Sequence, residues 1–198
     1  MPVVIAQDSA IYQLPDGPLR VRSLSPVVQL YGLPRMNGAR VLREHTEVTF
    51  NVEAANNFQS DNRLGTFAFF DGESVVSSLH VRGDLGRRLD WGVEIPYVAH
   101  TGGAFDGVVD EFHEVFGLPD GERSLASRGR LDYLIRSEGV VYADFNDSVK
   151  SLGDVRAFLG YQVFDKPKHA FALRTQIKFP TGSVKKLSGS EATDVSLW

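Results

Sequence analysis

The chain has 198 residues, enough for one domain with a substantial core. It carries 21 Lys and Arg against 25 Asp and Glu, and this net charge of −4, without a basic stripe, gives no footprint for nucleic acid. The absence of cysteine excludes disulfide frameworks and thiolate metal sites, and no run approaches the ~20 apolar residues of a membrane-spanning helix.

The first 22 residues differ in character from the rest of the chain. The opening "MPVVIAQDSA" has a short apolar run, Val3 to Ala6, followed by polar residues. Two interpretations remain open: a disordered start, or the remnant of a signal peptide without its positively charged end. We therefore predict an N-terminal segment, 1–22, followed by one domain, 23–198.

Alternation of apolar and polar residues dominates the remaining sequence and predicts an all-β protein. The clearest case is "RRLDWGVEIPYVAH", residues 87–100. One face of this strand carries Leu89, Trp91, Val93, Ile95 and Tyr97, and the other carries Arg88, Asp90 and Glu94. Such runs of about ten residues suit a tilted strand that crosses a bilayer, since strands of soluble proteins average ~5–6 residues. The alternation alone fits both a soluble sandwich with the apolar face inside and a membrane barrel with that face in lipid.

The connections between strands favour the barrel. We predict six main strands, at 39–54, 66–83, 88–98, 154–164, 170–179 and from 192 to 198. Short turns at 84–87 and 165–169 fall at one end of the strands, and long connections at 55–65, 99–153 and 180–191 fall at the other. Outer-membrane barrels sort their turns and loops in this way. One alternative stays open: a turn at "DGE", 71–73, would split the second strand in two.

The long connection 99–153 contains a predicted helix at 106–116. Its apolar residues Val108, Val109, Phe112, Val115 and Phe116 share one helical face. Asp106 is a suitable N-cap, and Gly117 a suitable stop. After it, "LDYLIRSEGVVYADF" predicts a hairpin that turns near Glu138 and Gly139. The helix has three candidate roles: packing on a loop, insertion into the outer leaflet, or plugging the barrel mouth, and the length of the connection favours the plug as its function.

Several motifs resemble a known family. They are "LYGLPRMNGARVL", "DGE", "WGVEIPYVAHTGGAFDGVVDEFHEVFGLPDGERS", "GDVRAFLGYQ", "KFPTG" and "LSGSEATDVSLW". Over roughly residues 23–198, the chain resembles the Gram-negative outer-membrane β-barrel family called domain of unknown function 3187. A looser resemblance, through "GDVR" and "KFPTG", links it to barrels associated with uptake of aromatic or hydrophobic compounds.

The resemblance implies an antiparallel up-and-down transmembrane β-barrel in the outer membrane of a Gram-negative bacterium, surrounded by outer-membrane lipid. Family members have a signal peptide and further strands, so we expect residues 23–198 to form the N-terminal part of a truncated barrel with open edges. The lipid-facing residues are then Leu89, Trp91, Val93, Ile95 and Tyr97. The lumen-facing residues are Arg88, Asp90, Glu94, Arg156, Arg174, Gln176 and Lys178. Their mixed charge argues against strong selectivity between anions and cations.

The sharpest local candidate for chemistry is a cluster of His and acidic residues in the long connection. Its members are His100, Asp106, Asp110, His113 and Glu114. Three of them are three and four residues apart and share a helical face, where His and carboxylate can hold a divalent metal or act as a base. The wet face of an amphipathic helix has the same composition, so we predict neither a metal nor a cofactor.

A lipid hydrolase is the enzyme to consider for such a barrel, because some outer-membrane barrels cleave lipids. Ser188 and Ser190 lie in "LSGSEATD", but no G-x-S-x-G elbow is present and nothing in the sequence ties either serine to a histidine. The stretch "PTGSVKKLSG" lacks the spacing of a phosphate-binding loop. An enzyme is therefore not predicted, with a lipid hydrolase as the alternative.

Three functions then compete. The first is a porin-like barrel that acts as a passive channel or uptake pore for small solutes. The second is a structural envelope barrel without an open pore, and the third is a soluble all-β ligand-binding protein. The sequence does not predict the solute, the pore size or the oligomeric state.

Overall fold

The computed structural model describes residues 22–31, 33, 38–103, 111, 114–117 and 129–198. These residues form one antiparallel sheet of nine strands with two short 3-10 turns, Val28–Leu30 and Val184–Lys186. The strands are β1 Thr46–Arg63, β2 Thr66–Asp84, β3 Leu89–Thr101, β4 Asp132–Ser137, β5 Val140–Phe145, β6 Val149–Leu152, β7 Arg156–Lys166, β8 His169–Lys178 and β9 Asp194–Leu197. Within these ranges β1 and β9 do not pair, so the sheet is not closed into a barrel.

The six predicted main strands are neighbours in the predicted order. They are β1, β2, β3, β7, β8 and β9, each antiparallel to the next. The β2–β3 and β7–β8 turns lie at one end of the sheet, which we call the turn end. The opposite end, which we call the loop end, carries the connections 102–131 and 179–193. The up-and-down order is therefore confirmed.

The predicted loop at 55–65 is wrong. β1 continues through it to Arg63 and pairs residue by residue with β2. A two-residue turn at Leu64 and Gly65 joins them, with φ of +48° and +78°. This is the mirror-image turn that matches the twist of a tight hairpin, and it favours glycine. The polar sequence "AANNFQSDNR" predicted a loop, but backbone pairing with β2 holds this stretch as a strand without a continuous apolar face.

The "DGE" stretch is a change of partner and not a turn. β2 runs through it without a break, and its neighbour on one side changes from β4, paired with Thr66 to Asp71, to β3, paired from Glu73 onward. Gly72 lies at the junction, where a Cβ would come within 2.7 Å of Leu131 Cδ1. A glycine at this position leaves room for the Leu131 side chain and for the carbonyl of Thr101 beside β2.

The long connection is described in part. The predicted hairpin is confirmed as β4 and β5, and its turn is formed by Glu138 and Gly139, both with positive φ. Of the predicted helix, Glu111 and residues 114–116 are helical. The rest of that segment, with Asp106, Asp110 and His113, lies outside the described residues, so its predicted role as a plug stays a prediction.

The two faces of the sheet have the opposite polarity to those of a soluble protein. On β8, Arg174 and Lys178 are buried, whereas Leu173, which precedes Arg174, is 43% exposed. We call the face of Arg174 the inner face and the face of Leu173 the outer face. A small apolar core lies at the loop end on the inner side and consists of Leu30, Phe70, Leu131, Tyr133, Ala143 and Leu187. Among the described residues, no helix has the length and apolarity needed to cross a membrane.

Candidate functional site

The inner face brings together most of the polar residues that the sequence placed in a lumen. Six of the seven are buried there: Asp90, Glu94, Arg156, Arg174, Gln176 and Lys178. The seventh, Arg88, is exposed in the turn before β3, where its Nη1 lies 3.5 Å from the hydroxyl of Tyr161. Buried charges must be paired to be tolerated, so their partners define this site.

Asp90 of β3 is the centre of the first charge cluster. Its Oδ1 accepts a hydrogen bond from Arg174 Nη1 at 2.9 Å, and its Oδ2 accepts one from Arg82 Nη2 at 2.9 Å. The backbone N–H of Leu42 also donates to Oδ2, at 2.9 Å. One carboxylate therefore holds two buried guanidinium groups and a backbone donor, an arrangement that fixes all of them in place.

A second cluster surrounds Glu94, four residues further along β3. Arg156 Nη1 of β7 lies 3.4 Å from Glu94 Oε1, and Arg22 Nη2 lies 2.5 Å from the same oxygen. Arg22 also contacts Glu53 of β1 through its Nε, at 2.8 Å. Arg22 thus bridges carboxylates on two strands that are not adjacent.

Lys178 of β8 is the centre of a third cluster. Its Nζ donates to the carbonyl of Leu30 at 2.9 Å and to Ser190 Oγ at 2.7 Å. Asp154 Oδ2 lies 3.6 Å away, and Asp194 of β9 forms an ion pair with the same amine. This ammonium, with no exposed surface, is therefore compensated by two carboxylates.

Much of the inner face is covered by the segment that precedes β1. We call its described residues, 22–31, 33 and 38–45, the strap. Arg174 donates to the carbonyls of Gly38 and Arg40, at 3.0 and 2.7 Å. Gln162 of β7 accepts from the N–H of Val41 at 2.8 Å and donates to the carbonyl of Ala39 at 3.1 Å. The strap therefore offers its backbone to inner-face side chains of the sheet, and we call the sheet with its turns the wall.

Charges on the inner face are divided between the two halves of the sheet. Carboxylates predominate on β1 and β3, with Glu47, Glu53, Asp90 and Glu94, and Arg82 of β2 lies among them. Cations predominate on β7 and β8, with Arg156, Arg174 and Lys178. The strap matches this division, because it presents the cation of Arg22 to the acidic half and carbonyl oxygens to the basic half.

Three of the sequence motifs meet at Asp154, which precedes β7. Its Oδ1 accepts from the N–H of Gly182 and its Oδ2 from the N–H of Ser190, both at 2.9 Å. Thr181 Oγ1 donates to the carbonyl of Gly153 at 2.7 Å and accepts from the N–H of Val155 at 2.8 Å. The motifs "GDVR", "KFPTG" and "LSGS" are therefore parts of one fastening that folds the connection 179–193 onto the inner side.

Of the predicted cluster around His100, the structure describes His100 and Glu114, whereas Asp106, Asp110 and His113 lie outside the described residues. His100 is buried at the loop end and lies opposite Ser74 of β2, with Nδ1 2.9 Å from Ser74 Oγ. Its Nε2 donates to the carbonyl of Leu187 at 3.1 Å, so Nδ1 accepts from the serine hydroxyl. Burial lowers the pKa of His100 to about 4. Glu114 is exposed, and within the described ranges no three His, Asp or Glu side chains come together to hold a metal ion.

Ser74 contacts His100, although the sequence analysis singled out Ser188 and Ser190 and not this serine. Ser74 accepts a hydrogen bond from Asn57 Nδ2 at 3.0 Å and lies 3.3 Å from the hydroxyl of Tyr133. Ser74, His100 and Tyr133 have no exposed surface. This network joins β2 to β3 at the loop end. Because its members are buried, a substrate has no path to the serine oxygen.

Sequence reasoning missed the strap and found the wall. Alternation places Asp90 on the polar face of β3 and Arg174 on the polar face of β8, and this signal is local. The strap acts largely through the carbonyls of Leu30, Gly38, Ala39 and Arg40. Every residue type has a carbonyl, so no sequence pattern points to these groups. Arg22, at the limit of the predicted N-terminal segment, is the exception, since a cation ahead of the first strand could have suggested an ionic contact.

The arrangement defines an antiparallel all-β protein with buried, paired charges on one face of the sheet and exposed apolar side chains on the other. The family model described as Protein of unknown function (DUF3187) matches residues 1–198, and the chain belongs to that family. No curated protein and no solved structure matches the chain.

Proposed function

We propose that the protein is an outer-membrane β-barrel protein of a Gram-negative bacterium that acts as a passive channel or uptake pore for small solutes. The observation that carries this proposal is the continuous apolar outer face. In one cross-strand row the side chains are Val48, Val81, Val93, Ala157, Ile177 and Val195, one from each main strand. An apolar row that crosses six strands without a polar interruption suits lipid and not water.

The height of this face supports the same proposal. We call the outer-face residues between the rows of Leu89 and Tyr97 the belt. Eight residue steps at ~3.3 Å each give a length of ~26 Å along the strand, and the nine residues involved match the ~9–11 that a tilted strand uses to cross a bilayer. Tyr161 lies in the row of Leu89, and Tyr97 lies at the other limit, with both rings about half exposed. Tyr prefers the boundary between lipid and water, so the belt has a suitable ring at each edge.

The inner face bears on the choice between a channel and a soluble protein. A soluble all-β binding protein, the third candidate of the sequence, would need its apolar side inside. Here the buried side carries Asp90, Glu94, Arg156, Arg174 and Lys178. Charged residues on the enclosed side and apolar residues outside are typical of strands whose apolar environment is the membrane.

The structural barrel without an open pore is the second candidate. It is supported by the strap, which covers the inner face and ties its charges. A permanent strap would leave no polar path along the wall, whereas a channel needs that path. Conductance of the folded protein in a planar bilayer separates these two functions: discrete current steps support the channel, and a silent, correctly inserted protein supports the structural barrel.

The two tryptophans provide a test of the proposed membrane location. Trp91 lies on the outer face within the belt, and Trp198 lies opposite Arg174 in an inner-face row. We would fold Trp198→Phe and Trp91→Phe variants of the full chain with vesicles of brominated phosphatidylcholine, so that each retains one tryptophan. Acyl-chain bromines quench tryptophan that contacts lipid. Strong quenching of Trp91 with weak quenching of Trp198 is expected, and equal or absent quenching would overturn the membrane location.

A further inference from the structure

The strap differs from the strands in how it is held. Six of its backbone groups bond to wall side chains rather than to a neighbouring strand: the carbonyls of Leu30, Gly38, Ala39 and Arg40 and the N–H groups of Val41 and Leu42. Water can replace each such bond, and the net contribution of each to stability is modest. The strap's buried apolar side chains are few among its described residues: Pro26, Leu30, Val41 and Leu42.

The wall keeps its buried charges compensated without the strap. Asp90 retains Arg82 and Arg174, and Glu94 retains Arg156. Lys178 retains Asp154 and Asp194. Departure of the strap takes the ion-pair partner of Glu53, whose side chain is 20% exposed and can be hydrated in its place. The large penalty that normally prevents a segment from leaving a buried ionic site is therefore avoided at the buried pairs.

The base of the strap lies at an opening in the turn end. There a polar cleft of about 560 Å³ is lined by Arg43 and Glu44 of the strap and by Asp84, Arg88 and Asp165 of the wall. Glu44 has a left-handed backbone conformation, with φ of +64°, two residues before β1 begins. A change at this residue would swing the strap while β1 stays paired with β2.

We propose that the strap is a displaceable plug, which closes the polar path along the inner face when docked and opens it when it leaves. This inference rests on the proposed channel function. Three features support it: charge complementarity between strap and wall, replaceable hydrogen bonds as the main attachment, and buried wall charges that remain paired with one another without the strap.

The absence of native cysteine allows a direct test. Val41 is a buried residue of the strap, and its neighbour Arg40 is exposed. A single Val41→Cys in the full chain, folded in lipid vesicles, reports strap release through its rate of labelling by a water-soluble maleimide. Arg40→Cys reports the rate for an accessible site, and we expect Val41→Cys to react much more slowly.

The opening variant is Gln162→Ala, which removes both bonds to residues 39 and 41 without creating a charge. Its matched control is Gln176→Ala, since Gln176 is equally buried on the same face and makes no hydrogen bond to the described strap residues. We expect Gln162→Ala to raise the Val41→Cys labelling rate about tenfold and Gln176→Ala to leave it nearly unchanged. Release of a small trapped dye from the vesicles should rise in parallel.

The outcomes separate the two proposals. Equal labelling rates in both glutamine variants, or faster labelling without faster dye release, overturn the plug. Absent lipid quenching of Trp91 overturns the membrane location instead, and the labelling comparison still reports whether the strap leaves. If Gln162→Ala does not fold, Arg22→Gln weakens the strap from its other end and is expected to raise the labelling rate in the same direction.

Discussion

Asp90 and Arg174 form an ion pair although their strands are not adjacent. β7 lies between β3 and β8, and the residue between them in the register is Gly160. Two strand spacings of ~4.8 Å separate their backbones, and the long Arg174 side chain crosses this gap because no side chain stands in the way. A Cβ at Gly160 would lie 2.1 Å from Asp90 Oδ1 and 2.4 Å from Arg174 Nη1. Gly160, the second glycine of "GDVRAFLGYQ", therefore leaves the space in which Asp90 and Arg174 form their ion pair.

Gly160→Ala tests this relationship. The added methyl group must push Asp90 and Arg174 apart inside a buried site, so we expect a loss of at least ~2 kcal/mol in the free energy of unfolding. Urea titration of tryptophan fluorescence in detergent micelles measures it. Thr175→Ala, at an exposed outer-face position next to Arg174, should change stability by about 0.5 kcal/mol or less. Equal effects of the two substitutions would contradict the account.

Val93→Arg tests the belt. Val93 lies in the middle of the belt, so a charge there should destabilise a membrane-inserted sheet by ~2–4 kcal/mol, the range for arginine near the bilayer midplane. Val140→Arg is the matched control, since Val140 is 55% exposed on β5, outside the belt, and should change stability little. Unfolding in vesicles measures both variants. A tolerated Val93→Arg would argue that the outer face does not contact lipid.

Acid should weaken the loop end through His100, which lies outside the belt. Its pKa is about 4 in the folded protein, against 6.5 when exposed. The lowered value means that the contribution is fully present above pH 6.5 and is lost as the pH falls towards 4. The loss reaches about 3 kcal/mol, since each pKa unit corresponds to ~1.4 kcal/mol. His100→Gln should flatten this pH dependence of the urea midpoint, whereas His169→Gln, at an exposed site, should leave it intact.

Asp154→Ala should release the connection 179–193. The substitution removes the acceptors for Gly182 and Ser190 and one of the two carboxylates beside Lys178. We expect trypsin to cleave faster at Lys185 and Lys186, which lie in this connection, and cleavage sites identified by mass spectrometry measure it. Asp147→Ala, an exposed acid in another connection, is the control and should leave the digestion rate unchanged.

The sequence predicted the strands of the wall better than the strap and the ion pairs on the inner face. Order and facing of the main strands follow from alternation, which is a local property, and the turn at Glu138 and Gly139 follows from residues that tolerate positive φ. The extension of β1 to Arg63 was missed because backbone pairing with β2, and not an apolar face, makes it a strand. Asp90 was placed on the correct face, but its partners come from β2, β8 and the strap, and such distant pairings leave no trace in local spacing.

The hairpin of β1 and β2 has a consequence for how the molecule meets its surroundings. Val52 shares a row with Tyr97, and β1 continues for eleven residues to Arg63, a reach of ~36 Å at ~3.3 Å per residue. With the belt in lipid, the end of the β1–β2 hairpin projects well past the headgroups. It is supported on one side by β4, which pairs with β2, and by β5, which pairs with β4. Its tip at Leu64 and Gly65 would be among the first parts of the protein that an antibody or another cell surface encounters.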